Sequence, residues 1–206
     1  AGFDKSAEVY NSLFKIGYGF VEIGTVTPKR QLGNPKPRVF RLEKDQALIN
    51  RLGFNNHGLE IVSKRISNNL PSGFLGINVG PNKDTKDKKE DYFLCLSKLS
   101  AHADYLTINI SSPNTEGLRD FHDEVELKNL LEGINKIKKE KNIFKPLAIK
   151  LSPDISGNEI SKIIETVLKY KIDGIIVSNT TDTNRDNLSD LQKNEKGGLS
   201  GQPLKN

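Results

Sequence analysis

The sequence predicts an α/β protein: a (β/α)8 barrel, with roughly strands 2 to 6 and their helices inside this chain. Three observations predict it. Short, β-rich apolar runs alternate with windows of helical periodicity, the pattern of βα units on a parallel sheet. Polar segments rich in Asn, Ser, Thr and Gly follow every strand, while the turns after the helices are plain. Function at the carboxyl ends of all strands is the barrel rule; an open doubly wound sheet gathers it at one switch point. Neither a Gly-x-Gly-x-x-Gly loop nor a P-loop is present, so the usual fingerprints of the open nucleotide-binding sheet are missing.

Each element rests on its own pattern. Residues 6–16 place Ala7, Tyr10, Leu13 and Phe14 on one helical face. Residues 20–24 (FVEIG) read as the first strand, followed by Thr25-Val26-Thr27-Pro28. A helical window at 57–70 carries Leu59, Ile61, Val62 and Ile66. The strand at 74–78 (FLGIN) runs into Val79-Gly80-Pro81-Asn82, and the helix at 87–101 carries Tyr92, Phe93, Leu96 and Leu99. The strand at 105–110 (YLTINI) runs into Ser111-Ser112-Pro113-Asn114. The helix at 124–141 follows with Leu127, Leu130, Leu131, Ile134 and Ile137. The strand at 147–151 (LAIKL) precedes Ser152-Pro153-Asp154, and the helix at 157–170 carries Ile160, Ile163, Ile164, Val167 and Leu168. The strand at 174–178 (GIIVS) ends in Asn179-Thr180-Thr181. Spacings of three and four set each apolar set on one face. Short, mostly apolar runs suit strands buried on both faces. Two segments, 25–53 and 179–201, are too long for ordinary connections and read as lids or binding loops.

Composition narrows the function. The chain has 206 residues, 35% hydrophobic and 28% charged, as a globular domain does. Its net charge of +5 comes from 24 lysines and only 7 arginines. Scattered lysine is a solvated surface rather than the Arg-fork chemistry of nucleic-acid recognition, so no nucleic-acid partner is expected. No run approaches the ~20 apolar residues of a membrane span. One cysteine, Cys95, excludes an internal disulfide and a cysteine-cluster metal site. It reads as a buried, inert thiol on a helix. His57, His102 and His122 have no ligand spacing, so no metal is expected. There is no Met, the chain opens on a turn-like Ala1-Gly2-Phe3-Asp4-Lys5 and it stops in a loop entering a helix. These ends are read as those of an internal fragment, whose open sheet edges would leave the barrel unclosed.

The strand-end inventory is amide-rich and poor in carboxylates. Asn50, Asn55, Asn56, Asn78, Asn82, Asn109, Asn114 and Asn179 all fall at strand ends or in the long loops. An amide offers a donor beside an acceptor, so a row of them suits a planar ligand with alternating N–H and C=O groups. Lys150 lies inside an apolar run, where an ammonium needs a counter-charge. A carboxylate on a neighbouring strand or a bound electron-rich group would supply it.

At Asn109-Ile110-Ser111-Ser112-Pro113-Asn114-Thr115 the chain resembles dihydroorotate dehydrogenase. The resemblance extends through Ala1-Gly2-Phe3-Asp4-Lys5, Glu22-Ile23-Gly24-Thr25-Val26-Thr27-Pro28, Lys36-Pro37-Arg38 and Asn50-Arg51-Leu52-Gly53-Phe54-Asn55-Asn56. It continues through Lys83-Asp84-Thr85, Ser178-Asn179-Thr180-Thr181 and Gly197-Gly198-Leu199-Ser200-Gly201, end to end in the family's order. Ser112 stands where the cytosolic class 1 enzymes carry cysteine, which points to the class 2, quinone-using branch. The resemblance implies that residues 1–206 are part of one FMN-binding barrel domain. It also implies oxidation of dihydroorotate to orotate in pyrimidine (UMP) synthesis. Ser112 would be the base on C5 while C6 gives a hydride to the flavin, which a quinone then reoxidises. The implied substrate positions are Lys5, Asn50, Arg51, Leu52, Gly53, Phe54, Asn109, Asn114, Asn179 and Thr180. The implied FMN positions are Ala1, Gly2, Phe3, Asp4, Lys5, Thr25, Asn78, Asn109, Lys150, Ser178 and Gly201. Thr115 and Asn114 are the sequence-near candidates for a proton relay from Ser112. The branch is peripheral to a membrane through an amino-terminal segment absent from these residues. Its place is the cytoplasmic face of the bacterial cell membrane, or the mitochondrial inner membrane in a eukaryote. A fumarate- or NAD-using class 1-like enzyme, or another FMN barrel acting on a nucleobase, is the alternative.

Overall fold

The computed structural model describes residues 2–183 and 185–205. Its elements run α1 (Tyr10–Lys15), β1 (Phe20–Val26), β2 (Val39–Leu42), β3 (Ala47–Asn50), α2 (Leu59–Asn68), β4 (Phe74–Val79) and α3 (Lys88–Leu99). They continue through β5 (Tyr105–Asn109), α4 (Glu124–Glu140), β6 (Leu147–Lys150), α5 (Gly157–Lys169), β7 (Gly174–Ile176) and β8 (Gly198–Gly201). Strands β1, β4, β5, β6 and β7 form one parallel sheet in that order, each joined to the next by a crossover. These are the five strands read from the sequence, and the helices between them stand close to their expected places.

The helix starts have local causes. Asp87 caps α3 by accepting from the Lys89 N–H at 3.0 Å, and Asp123 caps α4 through the Val125 N–H at 2.9 Å. Ser156 and Glu159 form a reciprocal capping box on α5. The expected first helix is shorter than its periodicity suggested. Asp4 accepts from the N–H groups of Glu8 (2.9 Å) and Val9 (2.8 Å), and this turn holds the chain out of the helix until Tyr10.

The sheet has two unlike faces. Side chains alternate along a strand. One set, including Leu75, Ile77, Val79, Leu106, Ile108, Leu147 and Ile149, is fully or almost fully buried in the main core with Leu127, Leu130 and Leu131 of α4. The other set is polar: Glu22, Asn78, Thr107 and Asn109 hydrogen-bond to one another or through Thr25. The strands are therefore aliphatic toward the helices, and the mostly apolar runs expected for strands buried on both faces meet a polar barrel interior on the other side.

The two long segments are not simple loops. β2 and β3 form a hairpin, and β8 pairs antiparallel with β3, Asn50 opposite Gly198 and Ala47 opposite Gly201. Phe40, Leu42, Ile49, Leu188 and Leu199 give this small sheet its own buried cluster. Each strand is four residues long, too short for a periodicity signal, and β8 lies far along the chain from its partner.

Candidate functional site

A cavity of about 370 Å3 opens at the carboxyl ends of the parallel strands. Its floor is built strand by strand. Thr25 comes from β1, Asn109 from β5 and Lys150 from β6, with Ser112 and Asn114 on the loop after β5. Ser178, Asn179 and Thr180 follow β7. The small antiparallel sheet supplies the roof: Asn50, then Leu52, Gly53 and Phe54 just beyond it, with Ser200 and Leu204 facing them. Gly2 and Lys5 close the amino-terminal side.

Gly24 is required where it stands. Its φ is +109°, and a Cβ there would lie 2.4 Å from the Asn78 carbonyl oxygen. That close approach accompanies the register irregularity between Ile23 and Val26. Thr25 then reaches both neighbouring amides from β1. Gly198 serves the same end on the roof. A Cβ there would overlap the Thr180 hydroxyl, 1.9 Å away.

Beneath the cavity runs a directed chain of hydrogen bonds. The Asn179 amide donates to Ser111 Oγ (2.8 Å), which donates to Asn109 Oδ1 (2.7 Å). The Asn109 amide donates to Thr25 Oγ1 (3.0 Å), which donates to Asn78 Oδ1 (2.6 Å). The Asn78 amide donates to Glu22 (3.1 Å), which also accepts from Thr107 (2.8 Å) and Tyr105 (3.0 Å). A carboxylate only accepts, and the Ser111 and Thr180 N–H groups (3.2 and 2.8 Å) need acceptors at the other end. Both ends fix the same amide orientations. Each amide nitrogen in the chain keeps one hydrogen beyond those it spends inside it.

Lys5 and Lys150 supply charge. Neither ammonium makes a hydrogen bond or an ion pair with another described residue. Burial lowers the pKa of Lys150, partly offset by the charge of Glu22. Burial, then Arg38, then Lys150 lower that of Lys5. The cavity thus holds two cations without a direct ion pair among the described residues, beside amides with hydrogens to donate. It can take an electron-rich, acceptor-studded planar ligand and stabilise negative charge on it.

Ser112 is buried at the cavity wall, its Oγ accepting from the Asn114 N–H at 3.2 Å. Among the described residues it has no other hydrogen-bond partner. Thr115 is buried and makes no hydrogen bond with it, and Asn114 offers only its backbone N–H, its side-chain amide donating to the Asn50 carbonyl at 3.1 Å. The sequence-near relay candidates therefore form no relay here.

Several expected site residues stand elsewhere. Arg51 turns out of the cavity because Glu195 pairs with it at 2.7 Å and its guanidinium stacks over Phe40. Asp4 is buried, bonded to the turn before α1, and Phe3 is exposed beside an adjoining cavity of about 530 Å3 that shares Gly2, Lys5 and Leu52 with the first. Asn78 is fully buried one step behind Thr25, and Gly201 sits in β8 against the Gln46 backbone. Ala1 lies outside the described residues. Sequence reasoning missed Glu22, Ser111, Ser200 and Leu204. Glu22 could have been found as the one acidic residue in an otherwise apolar strand. Among the described residues there is no cluster of metal-ligating side chains, and no helix is long and apolar enough to cross a membrane.

The arrangement has close counterparts. The dihydroorotate dehydrogenase family model matches residues 1–206. The dihydroorotate dehydrogenase (quinone) of Bartonella henselae is 50% identical over 208 residues, 99% of this chain and 58% of that protein. The dihydroorotate dehydrogenase (quinone) of Idiomarina loihiensis is 45% identical, covering 99% of this chain and 63% of that one. The crystal structure of the Eimeria tenella DHODH in complex with ferulenol superposes with a TM-score of 0.92 at 39% identity, over 98% of this chain and 61% of that chain. The chain thus spans about three fifths of the length of these relatives, and its five-stranded sheet is part of a (β/α)8 barrel.

Proposed function

The chain belongs to the dihydroorotate dehydrogenase family, and from that premise we propose that it carries the substrate and flavin site of a quinone-dependent enzyme that oxidises dihydroorotate to orotate in pyrimidine (UMP) synthesis. The observation that carries this reading is the meeting, in one cavity, of a buried serine, donor-rich amides and two lysine ammoniums that form no direct ion pair with another described residue. FMN fits those residues, because Lys150 would stabilise the negative charge that the flavin ring gains on reduction. When bound, the flavin would supply a two-electron acceptor for the hydride from C6 and pass those electrons on to a quinone. Lys150, Thr25, Asn109, Ser178 and Gly2 would hold it, with Asn78 and Gly201 shaping the wall behind and Phe3 and Asp4 positioning the amino-terminal turn. Asn50, Asn114, Asn179 and Thr180 would orient the pyrimidine, and Lys5 would meet its carboxylate. Leu52, Gly53 and Phe54 exclude water from above. Ser112 takes the proton from C5. Its hydroxyl is an unusual base, so its placement must do much of the work.

The same reading assigns residues 1–206 to one FMN-binding domain and puts the protein at a membrane face through a segment outside these residues. That face is the cytoplasmic side of a bacterial cell membrane or the mitochondrial inner membrane. The exposed Phe3 and Leu32 on the adjoining cavity support an apolar electron acceptor reaching the site from that side.

The test is anaerobic titration of the holoenzyme with dihydroorotate, followed by flavin absorbance. Stoichiometric bleaching, reversed by a quinone and not by fumarate or NAD, is expected. Flavin that stays oxidised overturns the substrate assignment. Ser112→Ala should slow bleaching at least ~10²-fold with flavin retained; wild-type rates remove Ser112 from the chemistry.

A further inference from the structure

Arg119 lies outside the cavity, in a short helical turn seven residues after Ser112. Its guanidinium nevertheless touches three strand-end loops. It pairs with Asp154, after β6, at 3.0 Å and with Asp182, after β7, at 2.8 Å. Its remaining hydrogens reach the carbonyls of Thr180 (3.4 Å) and Ser111 (3.5 Å). Asp154 in turn accepts from the Thr181 and Thr183 hydroxyls and from the Asp182 N–H. The Arg119 and Asp154 side chains are only 24% and 12% exposed, so little water screens the pair.

The loops joined in this way are the ones whose separation matters. Ser112 and Asn114 stand on one, Asn179 and Thr180 on another. Among the described residues they share one neutral bond on the cavity side, Asn179 to Ser111. On the outer side the guanidinium fork is the charged cross-link. We propose that Arg119, with Asp154, is a positioning residue that sets where the Ser112 hydroxyl lies relative to the substrate amides. The planar fork can hold both carboxylates and a carbonyl at fixed angles. A lysine ammonium keeps the charge but cannot reproduce that geometry.

The inference rests on Ser112 acting as the base at C5. It is tested on the holoenzyme with Arg119→Lys. Three quantities are read: the anaerobic rate of flavin bleaching by dihydroorotate, the orotate Kd from the flavin spectrum, and the deuterium isotope effect at C5 against that at C6. A misplaced base should slow bleaching by ~10²-fold, the loss a 1 Å displacement brings. Orotate Kd should stay within about threefold, because the ligand's amides remain. The C5 isotope effect should grow relative to that at C6. A rate within about twofold of wild type, or a slow rate with the C5-to-C6 ratio unchanged, overturns the proposal. If Arg119→Lys does not fold, Asp154→Asn keeps the side-chain shape and should give the same isotope signature. Wild-type rates and isotope effects in that variant also overturn it. A wild-type holoenzyme that dihydroorotate leaves oxidised overturns both this inference and the function it rests on. Bleaching in wild type with an unaltered Arg119→Lys removes this inference alone.

Discussion

Replacing Thr25 with Val tests whether the hydrogen-bond chain under the cavity stabilises the fold. Thr25 is 4% exposed, Asn109 3% and Asn78 0%. Val matches Thr in shape, so the substitution opens no cavity. It leaves the Asn78 carbonyl and one Asn109 N–H without these partners on almost fully buried side chains. Each unsatisfied group costs about 1–3 kcal/mol, so the pair should cost ~4 kcal/mol. At about 2–4 °C per kcal/mol for a chain of this length, the melting temperature should fall by ~8–16 °C. Thr25→Ser keeps the hydroxyl and gives up one methyl group, so it should cost about 1 kcal/mol. Scanning calorimetry of the three proteins side by side is the assay. A Thr25→Val protein melting within about 2 °C of wild type would refute the reasoning, since it would mean the amides find other partners.

Three further outcomes are expected. Gly198→Ala drives a methyl group into the Thr180 hydroxyl, so orotate Kd should rise at least ~10-fold with little change in flavin content; unchanged affinity in a binding titration would clear Gly198 of that role. The folded protein holds the Lys150 pKa below 10.5 by burial, so the unfolded chain binds that proton more tightly. The resulting instability is full at neutral pH and fades as pH rises toward 10.5. Lys150→Met should therefore melt higher than wild type without ligand at pH 7, lose that advantage by about pH 10.5, and bind flavin less well. His122 is pushed down to about 4 by burial and by Arg119, so its neutral form is the folded one. Its share of stability is present above 6.5 and lost as pH falls from there through about 4, so His122→Gln should gain on wild type in melting scans at pH 4.5 and not at pH 7.

The barrel strands and their helices were legible because each is coded locally. A run such as LAIK declares a strand, and Ser156 with Glu159 declares a helix start, from adjacent residues. The cavity floor was legible too, because barrel geometry sends whatever follows a strand to one end. What stayed hidden depends on partners remote in sequence. β3 and β8 are each four residues long, and β8 becomes a strand only by pairing with β3, remote in sequence. Arg51 belongs to a motif whose backbone lines the cavity, but Glu195, 144 residues away, takes its side chain elsewhere. Arg119 and Asp154 look like ordinary surface charges until the ends of β5, β6 and β7 are brought together.

The roof over the cavity has a consequence for the order of assembly. Its strand β3 bonds to β8, with Ser200 reaching the Leu48 carbonyl across 152 residues of chain. Closing a loop of that length costs about 4 kcal/mol in chain entropy when nothing else holds its ends. The hairpin of β2 and β3 cannot recover that cost alone. The parallel sheet must form first and carry β8 to within reach. On a ribosome, the roof segment Asn50 to Phe54 waits without its partner strand until the residues near 200 have emerged. Amide exchange in Ala47–Asn50 should accordingly be faster than in β4 or β5, and the last step of folding is the one that covers the site.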